Sequence, residues 1–180
     1  MAKSETKRVL LDSSALIAWI NGEPAAGRIA GLIDMIDRGD AQLVESVLVL
    51  AEVYKRSTAS DKAERHRQNA KLSLIRARLE SRDVALLDVT APVARKATEY
   101  RVNHNLKVAD ATHLATAVLN RCDWLVTLDR DFPQLDGLRI FRMELLDPTA
   151  GLPWDLSVQE SLFAGAGNVL SLASRANSGL

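Results

Sequence analysis

Four acidic residues stand where the neighbouring sequence is apolar. Asp12 ends Val9-Leu10-Leu11, and Glu52 interrupts Val47-Leu48-Val49-Leu50-Ala51-Glu52-Val53. Asp110 opens Asp110-Ala111-Thr112-His113-Leu114-Ala115, and Asp129 follows Trp124-Leu125-Val126-Thr127-Leu128. Burying an unpaired carboxylate costs several kcal/mol, so such a group must meet a cation, accept hydrogen bonds or keep its proton. Acids that converge are hard oxygen donors, the ligand type of magnesium and manganese. The histidines His66, His104 and His113 and the lone Cys122 form no pair with zinc spacing. A magnesium or manganese ion held by carboxylates activates water and neutralises charge on a leaving oxygen, which is the chemistry of phosphodiester hydrolysis.

Each acid has a plainer role open to it. Asp12 precedes Ser13-Ser14 and is suited to cap a helix, and Asp110 near a helix start is favoured by the helix dipole. Asp129 and Asp131 flank Arg130 in a loop pattern, where solvated acids are common. Glu52 is harder to explain, because it falls in the second turn of a segment apolar on nearly every side.

The elements that must position these residues follow from periodicity. Residues 9–11 form a short continuous apolar run of the kind found in buried parallel strands, and a helix follows until Asn21-Gly22 stops it. Asp12 therefore lies at a strand's carboxyl end. From Pro24, the positions Ala26, Ile29, Ala30, Ile33 and Ile36 recur at helical spacing as far as Gly39. Residues 41–45 form a second strand, and Ser46 caps a buried helix that carries Glu52. Asp61-Lys62-Ala63-Glu64 has capping-box spacing and starts a long helix whose charged first half projects into solvent. Residues 84–89 make a third strand, after which Thr90 and Pro92 open a helix with Val93, Ala97 and Tyr100 on its inner face. The next helix, over residues 108–121, turns Ala111, Leu114, Ala115, Val118 and Leu119 to one side. That leaves His113 roughly opposite, at a surface or subunit contact. Residues 124–127 and 138–141 complete the strands.

Strands alternating with helices predict an α/β fold: three layers, α/β/α, around a mostly parallel central sheet of four to five strands. Open sheets of this kind bind ligands beyond the carboxyl ends of their strands, where all four acids can meet. The main domain spans residues 1–147. Residues 148–180, with Pro148, Gly151 and Pro153 followed by Ser157-Val158-Gln159-Glu160 and a Gly/Ala/Ser-rich end, read as an extension of linker, helix and flexible tail.

At 180 residues with 47% hydrophobic and 26% charged composition, the chain is long enough for one well-packed domain. Its formal net charge of zero excludes a global basic field, so a polyanion would have to be held by local grooves. Lys55, Arg56, Arg65, Arg67, Lys71 and Arg76 are candidates for such a groove, as they are for a solvated helix face. The single Cys122 forms no internal disulfide and reads as a buried filler beside a strand. The charged start lacks an apolar leader and no stretch reaches spanning length, so the expected location is cytoplasmic, away from membranes.

Asp12-Ser13-Ser14 after a strand, Ser46 followed by Leu50-Ala51-Glu52-Val53, Asp110-Ala111-Thr112-His113-Leu114-Ala115-Thr116-Ala117 and Thr127-Leu128-Asp129-Arg130-Asp131-Phe132 resemble, in order and spacing, the four blocks of the PIN-domain ribonucleases. The likeness is strongest to the VapC-type toxins of prokaryotic toxin–antitoxin systems. The resemblance implies a magnesium- or manganese-dependent endoribonuclease that forms a homodimer and is inhibited by a small cognate antitoxin. It implies Asp12, Asp110 and Glu52 as metal ligands, Asp129 or Asp131 as the fourth acid, and Ser14 and Thr127 as polar supports for the acids or a substrate phosphate. The alternatives are a housekeeping RNA-processing nuclease of the same fold and a non-catalytic PIN-like binding module.

Overall fold

A computed structural model describes residues 6–54, 60–147 and 149–155. Five strands form one sheet in the order β3-β2-β1-β4-β5. They are β1 (Lys7–Leu11), β2 (Ala41–Ser46), β3 (Val84–Leu87), β4 (Trp124–Thr127) and β5 (Arg139–Arg142). Every pairing between neighbours is parallel. The chain winds from β1 outward through β2 to β3, then returns to the other side of β1 for β4 and β5. The switch point of the sheet is therefore the gap between β1 and β4, where their registers pair Leu11 with Val126. Crevices for ligands open outside the carboxyl ends of strands at such a point.

Alternation of side chains across the pleat explains the three layers. Leu10, Val44, Leu125 and Ile140 pack in one core cluster with Val93, Ala97 and Tyr100 of α5 (Ala91–His104) and Ala111, Leu114 and Ala115 of α6 (Val108–Leu119). Their neighbours Val9, Leu11, Leu43 and Val126 are equally buried and point the other way. On that side α1 (Ser13–Asn21) contacts β1 and β4, and α2 (Ala30–Arg38) contacts β2. The expected α/β/α architecture with its parallel sheet is borne out.

Local departures have local causes. The helix expected from Pro24 begins as a 3-10 segment, Pro24–Ile29, and becomes α-helical only at Ala30, beyond Gly27, a residue that disfavours helix. Ser46 does not cap a helix. It extends β2 by pairing with Leu87, its hydroxyl accepts from the Leu48 amide at 3.3 Å, and the helix that carries Glu52, α3 (Val49–Val53), starts three residues later. This short helix is not wholly buried either, since Ala51 is exposed and Glu52 half-buried. Asp61 does cap α4 (Lys62–Leu79), accepting from the Glu64 amide at 2.7 Å, and the first half of α4 is largely exposed.

Close contacts divide the chain into Met1–Ala150 and Gly151–Leu180. The helix expected from Ser157 and the tail beyond it lie outside the described residues. No described helix is long and apolar enough to cross a membrane.

Candidate active site

Asp12 leaves the end of β1 and is 2% exposed. Its amide donates to Val126 O of β4 at 2.9 Å, which ties the residue across the switch point. The Oδ2 atom accepts from the Ser14 hydroxyl at 2.6 Å, from the Thr127 hydroxyl at 3.0 Å and, more weakly, from the Ser14 amide at 3.4 Å. The capping role open to Asp12 is thus real, and it consumes one oxygen. The other, Oδ1, is buried with no hydrogen-bond partner. A bare buried carboxylate oxygen costs on the order of 1–3 kcal/mol or more, and native folds keep few such atoms without a reason.

Ser14 and Thr127 do more than hold Asp12. The Ser14 oxygen accepts from the Leu128 amide at 3.1 Å, and the Thr127 oxygen accepts from the Asp129 amide at 2.9 Å. The two hydroxyls lie 3.4 Å apart. This small network fastens the loop after β4 to the first turn of α1. Phe132, fully buried in the core, anchors the loop from its far side, and its carbonyl accepts from Arg142 at 3.3 Å.

Asp129 is half-buried, and its Oδ1 accepts from the Asp131 amide at 2.8 Å. Asp131 itself is exposed. Asp110, in the first turn of α6, is held above the ordinary aspartate range by burial first, then by the charges of Asp12, Asp129 and Glu52, with Lys107 pulling partly back. Asp110 therefore lies within electrostatic reach of the other three acids singled out from the sequence.

One residue escaped the sequence reading and a second was misplaced by it. Glu45, at the end of β2, is fully buried. Its Oε1 accepts from the Leu11 amide at 3.1 Å, while Oε2 has no partner. Burial pushes its pKa well up; the Leu11 bond opposes this, and the charges of Asp12 and Glu52 add to it. The signal was present, for Glu45 ends an apolar strand as Asp12 does. The second residue, His113, is not at the surface but completely buried, with Nε2 at 2.5 Å from Glu52 Oε2. The one-sided view of α6 failed because residues 111–117 are all buried, leaving no outward face there.

The basic groove is weakened as a candidate. Arg67 pairs with Glu64 and Arg76 with Glu80, while Lys55 and Arg56 lie outside the described residues.

Fold and site together define an open parallel α/β protein with an acidic crevice at its switch point. The model of the PIN domain matches residues 9–138, and the chain belongs to that family. The family resemblance carried by the four acid-bearing blocks is thereby borne out. Among curated proteins none matches the chain. Solved structures share the fold. A chain of a toxin-antitoxin complex from Klebsiella pneumoniae is 24% identical with a TM-score of 0.50, the match covering 72% of this chain and 94% of that one. A chain of VapBC2 from Rickettsia felis, bound to a DNA fragment from their promoter, is 19% identical with a TM-score of 0.54, covering 74% and 96%. VapC20 from Mycobacterium tuberculosis, described as a sarcin-ricin loop cleaving toxin, is 19% identical with a TM-score of 0.52, covering 67% and 89%.

Donor chemistry fits a hard divalent cation, with carboxylates from several elements within electrostatic reach of Asp110 and a bare buried oxygen on Asp12. Among the described residues, no three His, Cys, Asp or Glu side chains already come close enough to hold an ion between them.

Proposed function

We propose that this chain is a metal-dependent endoribonuclease and the toxin of a toxin–antitoxin pair. The observation that carries the reading is the Asp12 carboxylate, buried at the switch point with Oδ1 bare; that the Asp110 carboxyl feels the charges of Asp12, Asp129 and Glu52 supports it. A structural cap would need only one of its oxygens. Asp12, Asp110, Glu52 and Asp129 would hold magnesium or manganese, with Asp129 favoured over the exposed Asp131. Such an ion supplies an activated water and charge neutralisation at the cleaved phosphodiester. Ser14 and Thr127 keep Asp12 in place and tie the backbone of the loop that carries Asp129 to it.

Membership in the PIN family and a fold shared with toxin chains support a nuclease that works against an inhibitory partner. The cognate partner is a short antitoxin, and the active form is a homodimer in the cytoplasm. Mapping of RNA ends in cells expressing the wild-type chain against Asp12→Asn tests activity and substrate together. New ends with the wild type alone support the reading, and identical end maps overturn it. Growth arrest on expression, relieved by the product of an adjacent short reading frame, separates a toxin from a housekeeping nuclease.

A further inference from the structure

His113 is the one histidine of the chain that the core encloses completely among the described residues, and its surroundings give it a single return. Burying an imidazole strips both ring nitrogens of water. Nδ1 finds no partner, and Nε2 meets only the Glu52 carboxylate, from a different helix and 61 residues away in sequence. A carboxylate oxygen accepts, so the bond runs from the Nε2 proton to Glu52 Oε2. An imidazole this well packed holds its bonded partner in one orientation.

Glu52 needs such a partner. Its helix, α3, has five residues, and the Glu52 amide reaches the Leu48 carbonyl at a long 3.3 Å. A helix this short is marginal by itself. The helix that supplies His113 is its opposite, with twelve residues, seven of them consecutively buried, packed against α5, β1, β2 and β4. Asp110 lies three residues before His113 on this helix, so the two share one flank. The stiff element thus presents one acid directly and grips a second through the imidazole.

We infer that His113 is a positioning residue for Glu52, fixing its Oε2 so that Oε1 is the oxygen left for a cation. The inference rests on the proposed metal-dependent reading and extends it by one residue. Partners of this outer kind commonly change metal affinity or activity by about 10–100-fold when removed.

Manganese titration calorimetry on the full chain tests it, using His113→Leu, which fills the space without a donor, and His113→Gln, which keeps a donor near the Nε2 position. Each is measured alone and in a Glu52→Gln background, with circular dichroism to check folding. His113→Leu should weaken manganese binding about tenfold or more. His113→Gln should restore most of the loss, and in the Glu52→Gln background His113→Leu should add almost nothing, as expected of residues that act as a unit. An equal loss in both backgrounds, or a Gln variant no better than Leu, overturns the positioning role and leaves the metal reading standing. A wild-type chain that binds no manganese, alone or with RNA, overturns the metal reading and the role built on it. Should His113→Leu not fold, His113→Gln decides alone: near-native affinity supports the inference, and a loss as large as that of Glu52→Gln overturns it.

Discussion

The two ends of the sheet treat the same residue type in opposite ways. At the amino end of β4, Asp123 accepts from Lys7 Nζ at 2.6 Å and from the Arg8 amide at 2.9 Å. Burial pushes its pKa up, but the Lys7 bond, the backbone amides and the Lys7 charge together outweigh burial, and the carboxyl titrates below the ordinary aspartate value. At the carboxyl end, burial and neighbouring acids push Asp110 above that value, with Lys107 only partly compensating. The bare oxygens of Asp12 and Glu45 belong to this second end. One end pairs its acid with a cation and an amide; the other gathers acids whose charges raise one another's cost. The contrast supports the proposed site more strongly than any single acid does, because like charges gathered in one place are costly to bury.

Substitutions at each end should sharpen or break that contrast. The largest effect is expected from Asp110→Asn, which should reduce RNA cleavage by about a hundredfold or more, at least matching what loss of an outer partner costs. The same change should raise the thermal midpoint in metal-free buffer. Asp110 titrates above its ordinary 3.8 when folded, so it lowers stability increasingly as pH rises through its folded value, and asparagine removes that loss. A midpoint lowered at neutral pH would break the contrast.

Glu45→Gln comes next. Its folded pKa lies well above 4.5, so the folded chain holds a proton that the unfolded chain releases, and stability falls as pH rises from about 4.5 toward the folded value. The glutamine variant should lose that part of the pH dependence in thermal melts, and an unchanged slope would show that Glu45 is ordinary. Ser14→Ala strips a donor from Asp12 and an acceptor from the Leu128 amide, for a loss of about 1–3 kcal/mol in denaturant titrations. At the amino end, Asp123→Asn should cost at most about 1 kcal/mol and leave cleavage intact, since the pair with Lys7 is partly exposed. Smallest of all is Cys122. Burial pushes its thiol up to about 12, so alkylating reagents should leave it unmodified in the native chain and label it only in denaturant.

Much of the sheet was legible because its strands are apolar runs with abrupt ends. Residues 124–127 were read as a strand and are one, and the strand after Gly39 runs a single residue further than expected. Boundaries failed where pairing with a neighbour decides the outcome, as when Leu87 takes Ser46 into β2. The acids were legible as anomalies, each visible against its own apolar neighbours. His113 was misread because periodicity reports one face of a helix, whereas the middle of α6, residues 111–117, is buried all round between α5 and the sheet. Glu45 was passed over because a strand's final residue looks solvent-facing until the strand beside it is known.

By itself, then, the sequence determined the alternation of strands and helices, the family, and which acids are out of place, because local hydrophobic pattern and residue chemistry are written in order along the chain. Only the tertiary structure decided that β1 and β4 adjoin at the switch point and that Asp12 keeps one oxygen bare. It also decided that Asp129, rather than Asp131, is the half-buried acid of its loop, and that His113 grips Glu52. Those are relations between segments tens of residues apart, created when the sheet closes around β1, and no local pattern carries them.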